Sequence, residues 1–374
     1  MSQVGNGAVG AMAPDNPAGD TADGSTRVPA EQVERPAEAT PERPAPMELA
    51  GEVTRALWHR LTSSALGRER RYVTRGIRAH KKSVSSGADL FMLRRNVHRL
   101  EKGLTMRPVR DTFATDYIRP TIKGFHAGVT SGEVAPGHAE FSWMYSVLSR
   151  YFEVTMTTGN KTIQQCRELF EEAIATIEPG PTDSGPHTAQ PIVPSVKIDD
   201  LHTLATGRRS VRWFTAEHVE RDLVDRAVEI AAESPTACNR QPYRFEIFDD
   251  PVSTAKVAAI PMGTDGYEHQ IPGLIVIVGD LSAFFHKRDR HLIYIDGCLA
   301  AMGLLYGLES QGVNSCCINW PDIPEKEAEI TKLLGLKPYE RVIMLVAYGY
   351  ADSEALVPFS AKRRVDEIRT FRTL

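Results

Sequence analysis

Three arginines and a serine crowd into "GRRSVRWF", residues 207–214, and three more cations into "FSAKRR", residues 359–364. A guanidinium is the preferred fork for a phosphate, and a serine hydroxyl adds a rotatable donor, so each cluster has the chemistry of an anion site. Between them lies "SPTACNRQPYRF", residues 234–245, an odd connector of small, hydroxylated and amide residues placed before an aromatic-rich strand. Hydrolytic and metal constellations are weak by comparison. His286 and His291 are five residues apart and do not share one helix face well, and Cys316-Cys317 lies in an apolar run without local positive charge. No G-x-S-x-G or P-loop occurs, and the formal G-x-G-x-x-G at Gly5–Gly10 has neither a strand before it nor a helix after it.

The elements that must carry these residues are legible from periodicity. Residues 1–46 are rich in Gly, Pro, Ala and acidic residues with no apolar period and read as a disordered tail. Residues 47–178 read as a helical leader: Leu90, Leu93, Val97, Leu100 and Leu104 recur at three and four residues, and "FSWMYSVLSRYFEV" reads as a buried helix. A Pro/Gly-rich linker follows at 179–198, and 199–374 alternates helix and strand signals. There "AEHVERDLVDRAVEIAAE" is an amphipathic helix, "RFEIFDD", "GLIVIVGD" and "RVIMLVAYGY" are strands, and the last two are apolar enough to be buried on both faces. A further helix, "IDGCLAAMGLLYGLESQG", carries Gly297, Ala300, Ala301, Gly303 and Gly307, so something must approach it closely.

At 374 residues, 42% hydrophobic and 25% charged, the chain has material for one or two cores, and no run resembles a membrane span. A cytoplasmic protein is expected, with its five scattered cysteines reduced. The net charge of −4 hides an uneven distribution: residues 51–110 hold fifteen Lys/Arg against four Asp/Glu, and residues 1–50 hold three Arg against eight acids. Solvated helix faces account for the basic block more simply than nucleic acid does, since no nucleic-acid motif accompanies it.

The order "RRSVRWF", "SPTACNRQPYRF", a D-G-x6-L helix ending "LESQGVNSCCINWPD", then "AYGY" and "SAKRR" resembles the FMN-dependent nitroreductase family over residues ~200–370. The leader's "LRRNVHRLEKGLTMRP" resembles that of a subset of nitroreductase-like proteins and carries no function over. The resemblance implies an α+β fold, a three-layer α/β/α sandwich with a mixed sheet, as an intertwined homodimer holding FMN between subunits. It implies that Arg208, Arg209, Ser210 and Arg212 contact the phosphate, ribityl and pyrimidine side of FMN, that Pro235, Thr236, Ala237 and Asn239 flank the cofactor, that Ile318, Asn319 and Trp320 line the flavin face near N5, and that Lys362 and Arg364 reach the phosphate. Trp320 is expected to narrow the pocket or to offer a stacking face, and the small-residue helix to be a partner surface. The expected activity is NADH- or NADPH-driven, ping-pong, two-electron reduction of a small conjugated or aromatic acceptor, with no catalytic acid, base, nucleophile or metal required. A flavin-dependent oxidase or dehydrogenase of a biosynthetic pathway, and a redox-sensing binding protein that uses the basic leader, are the alternatives.

Overall fold

The apolar runs read as strands pair into one antiparallel sheet. The computed structural model describes residues 64–87, 89–175, 177, 183–189 and 194–373; the expected tail, the first part of the leader and part of the linker lie outside the described residues. β1 (Tyr243–Phe248), β2 (Gly273–Asp280), β3 (Asn314–Asn319) and β4 (Glu340–Gly349) take the order β1-β2-β4-β3. All three ladders are antiparallel; the one parallel pairing among the described residues is an isolated bridge, Ser210 to Ser315, so the sheet is mixed only at its β3 edge.

Strand alternation divides the core into two layers. Leu274, Val276 and Val278 of β2 and Val342, Leu345 and Ala347 of β4 face one side, where α8 (Pro251–Ala258) and α10 (Pro324–Leu334) cover them. Ile275, Ile277, Ile343, Val346 and Tyr348 face the other, against α7 (Arg221–Ala232) and α9 (Leu292–Glu309). Helices on both faces explain why these strands are continuously apolar rather than alternating, and the result is the expected three-layer α/β/α sandwich.

The close approach demanded by the small residues of α9 is met within this chain, while Ile295 and Leu299 of the same helix stay 52% and 44% exposed. A Cβ at Gly307 would lie 2.7 Å from Ala227 Cα, one at Gly303 3.1 Å from Ala231 Cα, and one at Gly297 2.4 Å from Ile343 Cδ1. The segment Lys287–Glu309 is the one helix among the described residues long and apolar enough to cross a membrane, but half of it is buried here against α7 and the sheet.

The leader forms its own core and then docks on the sandwich. α2 (Leu90–Leu104), α3 (Ile118–Ser131), α4 (Ala139–Val154) and α5 (Lys161–Ile174) enclose Val97, Leu100, Ile122, Phe125, Phe141 and Tyr151, among others. α1 (Ala65–Ser86) instead lies on the end of β2, where a Cβ on Gly76 would meet Leu281 Cβ and O at 2.7 Å. His80 Nδ1 stands 2.9 Å from the Ser282 carbonyl and 3.0 Å from Asp89 Oδ2, and since both are acceptors this nitrogen carries the proton. Asp89 in turn caps α2 by accepting from the Met92 N–H at 2.7 Å. His80 and Asp89 thus tie both leader helices to the strand end.

Candidate active site

Arg208 ends α6 (Ile198–Gly207), and the chain then runs along the exposed edge of β3. The Val211 N–H donates to the Ser315 carbonyl at 3.2 Å, the Phe214 N–H to Gln270 Oε1 at 2.7 Å, and the Thr215 N–H to the Tyr350 carbonyl at 2.8 Å; Gln270 Nε2 also donates to the Arg212 carbonyl. These bonds fix "RRSVRWF" beside the end of β4, from which the C-terminal segment departs. The two meet in a cleft of about 500 Å³ whose walls include Arg208, Arg209 and Ser210 on one side and Phe359, Ser360 and Lys362 on the other. Among the described residues no Asp or Glu lines it. Glu309 stands near: burial raises its carboxyl, against a hydrogen bond with Asn314 and the charges of Arg208 and Arg209.

The second predicted group is a strained turn. Cys238, Asn239 and Gln241 have φ of 56°, 51° and 51°, a left-handed conformation that costs non-glycine residues about 1–3 kcal/mol each. Asp296 of α9 holds it, accepting from the Ala237 N–H at 3.2 Å and 3.1 Å on its two oxygens. Thr236 Oγ1 accepts from the Gln241 N–H at 3.2 Å, and Arg240 Nη1 donates to the Ala237 carbonyl at 2.9 Å. Pro235, Thr236, Ala237 and Asn239 all retain exposed surface, and α2 packs across 237–239.

Within one chain the two groups are not brought together. The turn is anchored at Asp296, near the start of α9, whereas Arg208 and Arg209 act on Glu309, its last residue. Thirteen residues of helix separate these points by about 20 Å. No hydrogen bond or ion pair links the groups among the described residues.

The remaining predicted residues divide. Arg212 is exposed and absent from the cleft; its charge acts on Tyr267 and Cys316, on the α8/α10 side of the sheet, where burial pushes the Tyr267 hydroxyl up to about 12. Arg364 pairs with Asp366. At the end of β3, Asn319 is exposed while Ile318 is buried in the core. Trp320 is 8% exposed and its indole N–H donates to Glu327 Oε1 at 2.5 Å, so the expected stacking face is corrected: the ring is core. Burial raises the Glu327 carboxyl, and Arg341, 2.7 Å from its other oxygen, opposes that rise. Asp296 and Gln270 are the positioning residues that sequence reasoning missed. The Asp-Gly pair at 296–297 was visible as a motif, but nothing local announced its partner, and Gln270 gave no signal.

Residues 205–264 and 262–350 match the Nitroreductase family. The chain carries a nitroreductase-family domain. Its matched segment holds the Arg/Ser edge, the strained turn and all four strands, and ends before the Lys362 wall of the cleft. Iodotyrosine deiodinase 1 of Mus musculus is 22% identical over 240 residues, 57% of this chain and 82% of that protein. A protein described as NADH dehydrogenase from Thermus thermophilus is 27% identical over 191 residues, 43% of this chain and 91% of that one. A solved nitroreductase family protein from Streptococcus pneumoniae aligns over 46% of this chain and all of its own length, at 24% identity and a TM-score of 0.40. By its family match the domain is related to oxidoreductases, and the leader lies N-terminal to the matched region, with α2 touching the turn.

Proposed function

We propose that the chain is an FMN-dependent oxidoreductase that takes two electrons from NADH or NADPH and delivers them to a small conjugated or aromatic acceptor. The observation that carries the reading is the cleft, where two guanidiniums, three hydroxyls and an ammonium from segments some 150 residues apart line about 500 Å³ with no carboxylate among the described residues. That donor set fits a phosphate monoester, and the volume lies in the range of roughly 300–1,000 Å³ usual for small-molecule sites. Arg208, Arg209, Ser210 and Lys362 would hold the phosphate. Bound FMN would supply the two-electron exchange, leaving the protein to position, screen charge and exclude water.

A flat ring system beside that phosphate needs a second wall, which the 235–239 turn of a second copy would provide. The C-terminal segment supports a homodimer: Leu356, Phe359 and Phe371 are 94%, 80% and 84% exposed, an apolar arm left largely open to solvent by the described residues. Cytoplasmic placement agrees with five free cysteines.

The test begins with the purified protein, which should be yellow and release FMN on heating. In stopped flow, NADH or NADPH should bleach the bound flavin, and a panel of nitroaromatic and quinone acceptors should restore it. Arg208→Ala and Lys362→Ala should each weaken FMN binding about ten-fold or more, the scale of a lost charge-assisted hydrogen bond. A colourless protein that takes up no FMN would overturn the reading.

A further inference from the structure

The strained turn is roofed by α2, and α2 brings charge with it. Arg95 and Arg99 stand four residues apart and so share one helix face. Arg95 lies 4.9 Å over the Phe285 ring and Arg99 3.6 Å over the Tyr117 ring; both side chains are half-buried. Arg240, from the turn itself, is 4% exposed and lies 5.0 Å over the Phe284 ring. Burial first, then Arg99 and Arg240, lower Arg95 below the usual guanidinium range, against the opposing pull of Cys238 and Tyr117.

Among the described residues little balances this cluster. Asp116 stands 3.8 Å from Arg99 with its side chain 75% exposed, and Asp296, already holding the turn, acts on Arg240. Few donors are used: among the described residues Arg95 Nη1 donates to Asn96 Oδ1 at 3.0 Å, Arg240 Nη1 donates to the Ala237 carbonyl at 2.9 Å, and the buried Arg240 Nε has no acceptor. Like charges held half-buried with donors to spare are unfavourable in a low dielectric unless an anion sits among them.

We propose that Arg95 and Arg99 of the leader, with Arg240 of the turn, form an anion site that receives a carboxylate or phosphate on the small molecule admitted beside the turn. The proposal rests on the flavoprotein reading and adds a substrate class to it: the acceptor, or the nicotinamide donor, carries an oxyanion. It also gives the leader a role, as the element that selects for that charge.

The test compares the full chain with Arg95→Gln, Arg99→Gln and the double variant, with Arg99→Lys as the charge-conserving control. In wild type kcat/KM for 4-nitrobenzoate should exceed that for nitrobenzene at least about ten-fold; in the double variant the ratio should fall to about one, with FMN content retained, and Arg99→Lys should restore part of it. NADPH and NADH form a second arm. Loss of an NADPH preference, with the acceptor ratio unmoved, would support the site and assign its anion to the donor's phosphate. A third arm, calorimetric titration of benzoate and of inorganic phosphate into the protein as purified, needs no turnover and no flavin. Weaker binding of either anion by the double variant supports the site even if FMN binding fails. Ratios and titrations alike in wild type and double variant would overturn it.

Discussion

Asp296 governs the strained turn through one backbone N–H, and its burial makes that role visible in pH. Burial is the largest influence on its carboxyl and raises it, opposed by the Ala237 N–H and by Arg240. A carboxyl raised on folding binds its proton more tightly in the native state, so stability falls as pH rises from the unfolded value of about 4 to the raised native one. Asp296→Asn keeps an acceptor for Ala237 and removes that dependence. Its urea midpoint should change less than wild type's between pH 4 and pH 7. Asp296→Ala strands the half-buried Ala237 N–H and should lower stability by about 1–3 kcal/mol at both pH values; a midpoint equal to wild type's would remove Asp296 as the turn's anchor. The special character of "SPTACNRQPYRF" was legible because small residues, Asn and a Gln-Pro signal an unusual backbone, and the structure answers with three left-handed residues. Asp296 was not legible as its anchor, since the bond spans 59 positions. At Trp320 the failure had the opposite cause: a family position was carried over, while Glu327, one helix further on, had already taken its indole N–H.

Between elements, the contact that sets the sandwich's thickness on one face is the α7–α9 seam, where Gly307 meets Ala227 backbone to backbone. A methyl there would stand 2.7 Å from Ala227 Cα and 3.2 Å from its carbonyl oxygen, atoms that a rotamer change cannot move. Overpacking of this kind costs about 1–3 kcal/mol, against which the helix-propensity gain of Gly→Ala is about 1 kcal/mol. Gly307→Ala should therefore lower the unfolding midpoint, and more than Gly303→Ala, whose nearest backbone atom is at 3.1 Å. Because the seam lies within one chain, the loss should not depend on protein concentration; a loss that grew on dilution would place the glycine face itself at a subunit interface. Strands and long helices were legible because their apolar periods were long. β2 has the limits that "GLIVIVGD" set, and α2 begins at Leu90 and ends at Leu104. The start of α7 was read too early, at 216 instead of Arg221, because Val219 is buried from outside the helix and prolongs the apolar pattern upstream. Which neighbour a small-residue helix approaches is a property of the third dimension, and composition shows only that the approach must be close.

At the scale of the molecule, the proposed flavin site carries a stoichiometry with it. The phosphate-type cleft lies at one end of α9 and the strained turn at the other, about 20 Å apart along the helix, so a ligand touching both kinds of wall requires a second copy to bring its turn to the first copy's cleft. The exposed apolar positions of the C-terminal segment, Leu356, Phe359, Val365, Ile368 and Phe371, lie on the same stretch that supplies the Lys362 wall. An arm that binds a neighbour would then order the cleft at the same time, and cofactor retention and association become linked equilibria. Light scattering over a dilution series should show two chains per particle at high concentration, and the fluorescence of released FMN should rise with the same midpoint as the fall in mass. Leu356→Asp with Ile368→Asp places charge on the arm without touching the arginine edge, and should move both midpoints together to higher concentration by at least about ten-fold. If the doubly charged arm left a folded single chain that still held one FMN, the second wall would have to come from within that chain, and α2 together with the turn it covers would be the place to look for it.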